Sequence, residues 1–395
     1  MPPDGSRVGY AAKIGDKWSV YVDENESVVY DKVSAKSLIF SPDGVRFAYM
    51  AKRDGKWFLV IDGKEGAAHD DIALGSPVFS PDGSRVAYAA KNGDKWTAIV
   101  DGQGNAPYDD MGKGFPIFSP DGSRVAYPAK TGDKWKMVID GRESPVFDDY
   151  KLGTPVFSAD GSRVAYAVKS DDTWKVVVDN QESPPYQDIL GLGFLADSSP
   201  VYAGKSKGEW VVSRNNLTGP AYKWIRKPGL VISADHKRMA YVGHAKDREE
   251  VVVDGKNGHP YKKIGFVRQS GGAKAGDYGR SLIASVFVSI LTAPLGYGVA
   301  FTPTNRVQTN YLGGVQFSPD SEHYAYLADD GKSKIVVIDG VESRLFPLGS
   351  KVVALRFSAE SDNVRVFTAD PKIAVAVIPV PPANIASEEA AGESN

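Results

Sequence analysis

The 395-residue chain has no cysteine. Disulfides, thiolate metal centres and cysteine nucleophiles are thereby excluded together. Histidine is scarce, and His69, His236, His244, His259 and His323 are scattered without metal-ligand spacing. An excess of one charge is missing as well. With 47 basic residues against 49 acidic ones, the chain has no electrostatic footprint of a nucleic-acid binder or a polybasic membrane binder. No calcium loop with several acidic ligands occurs, and no complete phosphate-cradling loop ending in Gly-Lys-Ser/Thr. No repeat unit holds a helix-length stretch of helical periodicity, which disfavours a helical solenoid. Neither cofactor nor metal is expected.

What the chain has is turns and repetition. Its 41 glycines and 25 prolines accompany a motif that recurs almost unchanged: FSPDGSRVAYAAKNGDKW from Phe79 to Trp96, then FSPDGSRVAYPAKTGDKW from Phe118 to Trp135. The acidic anchor of the motif falls at positions 4, 43, 82, 121, 160, 197, 235, 320 and 360. A spacing near 40 residues signals a propeller, a solenoid or an array. Within each unit, runs such as PVF, RVAYAA, WTAIV and APY have strand character and are bounded by turn residues.

SPDG supplies a turn between the first and second strands, because Pro presets φ, Asp bonds nearby amides and Gly accepts positive φ. Asp62, Asp101 and Asp140 with their following glycines give a tight hairpin between the third and fourth strands. The third strand is apolar on both faces and must be covered from both sides. The expected fold is all-β, a single β-propeller of four-stranded antiparallel blades over residues 1–378. Nine anchors predict eight blades, with seven as the alternative. Leu355 to Ser358 is read as an extra strand that completes the N-terminal blade. Residues 379–395 are Pro-rich, then acidic and small, and are expected to be a disordered tail.

The motif FSPDGxxxAY, followed by a strand and a DG turn, resembles the TolB-like, WD-repeat-like propeller family. That resemblance implies a propeller and, commonly, an exported bacterial protein that binds other proteins: periplasmic, cell-surface or secreted. The N-terminus MPPDGSRVGY has no signal peptide. Met1 stands where Phe40 and Phe79 stand in later repeats, as expected of a misplaced start or a fragment. Prolyl-oligopeptidase-type enzymes carry similar propellers, but no hydrolase domain and no nucleophile elbow are recognised.

A single site on a ring is built from residues that differ between blades, so faithfully repeated residues read as scaffold. Asp43, Asp82, Asp121 and Asp160, Trp57, Trp96, Trp135 and Trp174, and Asp62, Asp101 and Asp140 belong to that class. The pairs Asp70–Asp71, Asp109–Asp110 and Asp148–Asp149 read as turn and edge residues that discourage strand pairing. Lys13, Lys52, Lys91, Lys130 and Lys169 end the second strands and form an arc on one rim, a candidate surface for an acidic partner. Arg214, Trp224 and Arg226 form a basic segment with an aromatic, suited to an anion or a sugar.

The largest irregularity is an insertion at 265–311, uncharged from Ser281 to Asn305. Both its flanks belong to one ring, so a single membrane crossing is excluded if the ring closes. The insertion is read as joining a fourth strand to the next first strand, with Leu282, Phe287, Leu291 and Tyr297 as candidate contacts. The expected function is non-enzymatic binding of a protein or envelope component, with the insertion on the binding face. Two rivals stand beside it: a glycan- or peptide-acting enzyme, and a membrane-associated scaffold anchored through 281–301. The enzyme's site would lie at the channel mouth, and non-repeated carboxylates or histidines clustered there would favour it.

Overall fold

The structure, a computed structural model, describes residues 5–34, 37–73, 75–112, 116–227, 229–265, 314–347, 350, 352–369 and 373–381. These divide between two compact units, one ending at Ile232 and one beginning at Ser233. Among the described residues there is no helix, and the strands assort into nine antiparallel sheets, of which the first and last have three strands. The fold is all-β and of propeller-blade type.

The sheet around Tyr88 shows how the repeat folds. Its second strand, Val86–Asn92, pairs with the third, Lys95–Val100, and that with the fourth, Gln103–Tyr108. The first strand comes in two pieces, Asp71–Ile72 and Val78–Phe79, both paired with the second. The central strands are buried on both sides, with Val86, Ala87, Tyr88, Ala89, Ala90, Ala98 and Ile99 all inaccessible. SPDG forms the expected turn: the Ser80 hydroxyl donates to Asp82 at 2.5 Å and accepts from the Arg85 amide at 2.9 Å. Asp101 and Gly102 both take positive φ, 51° and 80°, which gives the two-residue hairpin the twist that flanking strands require.

The arginine that follows SPDG joins one sheet to the next. Arg85 donates through Nε to Asp101 of its own hairpin at 2.8 Å, and through Nη1 to the carbonyls of Gly122 and Ser123 in the next SPDG turn at 3.0 and 2.8 Å. Its guanidinium lies 5.3 Å from the ring centre of Phe118 in that next sheet. The arrangement recurs at Arg7, Arg46, Arg124, Arg163 and Arg238. Successive turns also touch: a β-carbon on Gly122, whose φ is +74°, would come within 3.2 Å of the Asp82 carboxylate. A second seam runs through the core. The aromatic near the end of one repeat meets the tyrosine of the next edge-on, as in Tyr30–Tyr49 at 6.1 Å, Tyr108–Tyr127 at 6.4 Å and Tyr261–Tyr326 at 6.3 Å. In the second repeat His69 takes that aromatic position against Tyr88 at 5.8 Å.

Two expectations are corrected. The strand at Leu355–Ser358 spans Val352–Phe357 and opens its own three-stranded sheet with Asn363–Ala369 and Ile373–Pro379. Two further strand-length apolar runs follow it directly, and pairing such neighbours closes shorter loops than a distant pairing would. The insertion, moreover, does not join a fourth strand to a first. Lys263–Ile264 pairs with Asp329–Ala328, and Gln316–Phe317 pairs with Ala325–Tyr324. These are the two pieces of one first strand, so the extra residues replace the short loop between Ile72 and Val78 of the regular repeat. The insertion beyond Gly265 and the tail beyond Pro381 lie outside the described residues.

Two outcomes follow. Arg124 bonds Asp140 at 2.9 Å and the Ser162 carbonyl of the next turn at 2.9 Å. Arg124→Ala should cost about 2 kcal/mol in urea unfolding, the range for hydrogen bonds to a charged group. His69 is buried, faces Tyr88 and Asn92, and has Asp70 beside it; burial holds its imidazole below the usual value. The folded state therefore binds fewer protons than the unfolded state below about pH 6.5, and stability falls as pH drops through that value. In thermal unfolding at falling pH, His69→Tyr, which installs the residue found at Tyr30 and Tyr108, should reduce this loss.

Candidate functional site

The sheets have two ends. SPDG and DG turns share one; the GDKW hairpins and the entries to the next first strands share the other. The expected lysine arc lies at the GDKW end, but its charges are largely engaged. Lys52, Lys91 and Lys130 face Trp57, Trp96 and Trp135 in register, each ammonium 5.8, 5.9 and 5.7 Å from the indole centre. Lys169 bonds Asp172 at 2.9 Å, and Lys151 instead covers Trp174 at 4.2 Å. Lys13 pairs with Trp18 in register and is exposed. Trp96 and Trp135 pack on the core cluster.

The acidic pairs have a more specific role than edge protection. Asp70 receives the ammonium of Lys56 from one sheet and the amide of Gly93, at 2.7 Å, from the next sheet's hairpin. Asp109 does the same with Lys95 and the Gly132 amide at 2.8 Å. Asp31 and Asp148 repeat the pattern with Lys17 and Lys134 and the amides of Asp54 and Asp171. In each case the lysine comes first among the causes that hold the carboxyl below its ordinary range.

The SPDG carboxylates act likewise within their turns. Asp43, Asp82, Asp121 and Asp160 each accept from a buried serine hydroxyl, and those of Asp82 and Asp160 are lowered to about 2, chiefly by that hydroxyl. Asp62, Asp101 and Asp140 are each held by an arginine and a backbone amide. Every repeated charge of these sets thus has an internal partner.

The basic segment of the sixth repeat is split. Arg214 lies beside the Asn215–Asn216 hairpin, where it bonds Asp197 at 2.7 Å and Ser199 at 3.1 Å. Trp224 follows Tyr222, the partner of Trp210 at the other end of the strand Glu209–Arg214. The Arg226 guanidinium lies 5.7 Å from the Trp224 ring centre. The structure therefore keeps Trp224 with Arg226 and removes Arg214 from them. Leu282, Phe287, Leu291 and Tyr297 lie outside the described residues.

What the sequence reading missed lies in the sheets that flank the insertion. At the positions of Lys91 and Trp96, one sheet carries His244 and Glu249, paired in register, and the next carries Asp329 and Lys334. Glu249 is buried, 4% exposed, and its carboxylate accepts the Ile264 amide at 2.7 Å, one residue before the described chain breaks off. Lys334 donates to the Ser350 carbonyl and Asp329 accepts the Gly331 amide at 2.7 Å. Two consecutive units thus lose the Lys–Trp pair beside the irregular segment. Following that column through all repeats would have exposed the change.

The sequence reading also passed over Gly204-Lys205-Ser206-Lys207-Gly208, which has the G-x-S-x-G spacing. Here it ends the strand Pro200–Ser206 and turns into the strand Glu209–Arg214, so it lacks the helix that a nucleophile elbow needs. Among the described residues no group of three His, Asp or Glu side chains comes together to hold a metal, and no helix is long and apolar enough to cross a membrane.

No family model matches the chain, and no curated protein matches its sequence. Similar solved structures include a eukaryotic initiation factor, with 12% identity, TM-score 0.42, and 95% of this chain and 94% of that one covered. TolB from Acinetobacter baumannii is similar at 14% identity and TM-score 0.30, over 64% of this chain and 78% of that one. The Dos1 propeller is similar at 12% identity and TM-score 0.35, over 87% and 91%.

Ile264 is fully buried, so Glu249→Ala strands its amide. Urea unfolding should show a loss of about 2 kcal/mol, the cost of an unsatisfied buried donor. Glu249→Gln keeps an acceptor oxygen and should lose less than about 1 kcal/mol.

Proposed function

We propose that this protein is a non-enzymatic scaffold that binds another protein or an envelope component through the GDKW end of the sheets flanking the insertion. The observation that carries this reading is the contrast between repeats. Six repeats carry a Lys–Trp pair at one register position, whereas the two sheets flanking the insertion carry His244 with Glu249 and Asp329 with Lys334 there. Repetition serves the scaffold; departure from it marks where a specific contact is made. The FSPDG-type repeat supports an exported setting, periplasmic, cell-surface or secreted, and the apolar run 281–301 adds to the contact surface.

A second reading draws on the same residues. His244 and Glu249 are a non-repeated imidazole and carboxylate in register, the pairing that acid–base chemistry on a glycan or peptide would use. Burial of Glu249 and its bond to the Ile264 amide favour a positioning role, and the scaffold reading is preferred for that reason.

The test is affinity capture from a native envelope extract. The bait proteins are the intact chain, a variant lacking 271–305, and the repeat-restoring variant His244→Lys, Glu249→Trp, Asp329→Lys, Lys334→Trp. A partner recovered by the intact chain and lost from both variants, with thermal unfolding of the second within a few degrees of wild type, is the expected result. Equal recovery by all three would contradict the binding reading. Hydrolysis of envelope glycans or peptides abolished by Glu249→Gln would replace it with the enzymatic one.

A further inference from the structure

A cleft of about 200 Å³ opens between two neighbouring sheets of the second unit, lined by Arg238, Asp254, Lys256, Gly258, Tyr324 and Tyr326 together with Val251, Val253 and Asn257, whose amide donates to Glu250 at 2.9 Å. It lies at the SPDG end of the strands, away from the surface proposed for a partner. Two of its charges neutralise each other: Arg238 donates to Asp254 at 3.0 Å, and its guanidinium stacks between Phe317 and Tyr324 at 5.3 and 5.6 Å. Asp254 is held further by the Met239 amide at 2.9 Å. The Lys256 ammonium and the Tyr324 hydroxyl have no ion-pair or hydrogen-bond partner among the described residues. The lining residues carry two positive charges against one negative, with Asp339 close behind Tyr324, and the cleft keeps two uncommitted donors.

Its walls combine polar groups with the two valines and the two tyrosine rings. Tyr324 and Tyr326 stack with centres 6.5 Å apart and planes 7° from parallel, and Tyr326 is 1% exposed. Gly258 keeps the opposite wall low, since a β-carbon there would meet the Val251 carbonyl at 3.0 Å and come within 3.7 Å of the Tyr326 hydroxyl. Other repeats have the same arginine and aspartate but not the donor: Val86, Val125 and Val164 stand where Tyr324 stands, and Phe47 does so in the second repeat.

We propose that this cleft binds a carboxylate carried on a short apolar stem. Lys256 and the Tyr324 hydroxyl bond the two oxygens, while Val251, Val253 and the tyrosine rings cover the stem. At about 30 Å³ per water, the space holds roughly six or seven water-sized groups, the size of a four-carbon acid or a glutamate side chain. A free short-chain acid and an acidic residue of a peptide present the same chemistry.

Isothermal titration calorimetry on the full chain tests this with butyrate, its neutral isostere butyramide, and N-acetylglutamate methylamide. Saturable binding of butyrate or the capped glutamate is expected, with butyramide at least about ten-fold weaker, equivalent to about 1.4 kcal/mol. Tyr324→Phe keeps the ring that Phe47 shows the repeat tolerates, and Lys256→Gln is at the surface; each should weaken binding about ten-fold. The tighter of the two acids identifies the source as free or peptide-borne. Equal binding of butyrate and butyramide, unchanged affinity in both variants, or no binding of either acid would overturn the proposal.

Discussion

Each arginine after SPDG holds two sheets at once, and the rest of the architecture is organised around that grip. One edge of the Arg85 guanidinium is committed to Asp101 of its own hairpin. Another edge reaches the carbonyls of the next SPDG turn, and the planar face lies on the next phenylalanine. Only a planar, permanently charged group with several donors can do all three together. Register follows from it: the turn that receives Arg85 must stop at a fixed height beside the turn that sends it. A unit near 40 residues is the chain length that returns the next turn to that height.

Because the grip is directional, from one repeat to its successor, the charged residues of a regular repeat are largely occupied by their neighbours. The Asp70 and Asp109 clamps at the opposite end extend this to the lysines. Exposed ion pairs contribute little individually, but here they coincide with backbone amides and packed aromatics, so their geometry is fixed. A recognition surface made of repeated charges would have to break these contacts first. At His244, Glu249, Asp329 and Lys334 near the GDKW end, and at Tyr324 near the SPDG end, the side chains differ from those of the regular repeats.

Much of the fold was legible because its signals are local. Turn chemistry at SPDG and DG, strand alternation and the spacing near 40 residues each depend on residues close in sequence, and each is found as read. The sheet of Val352–Phe357 and the split first strand were not legible in the same way. Pairing partners are set by competition between segments, and a two-residue piece such as Lys263–Ile264 has too little pattern to announce itself. The candidate site was harder still. Trp224 and Arg214 look adjacent in sequence but occupy opposite ends of a strand, whereas Glu249 and Ile264 are 15 residues apart and in contact. Glu249 was visible only as the loss of a tryptophan from a repeated column.

Hydrogen exchange read by mass spectrometry in Arg85→Ala tests most directly whether the arginine couples each sheet to the next. The amides of Gly122 and Ser123 lie in the turn whose carbonyls Arg85 holds, and they bond the Ser119 carbonyl and the Asp121 carboxylate. Faster exchange there, with the turn two repeats earlier at Gly44 and Val45 unchanged, is the predicted result. Wild-type exchange at Gly122 and Ser123 would contradict the account.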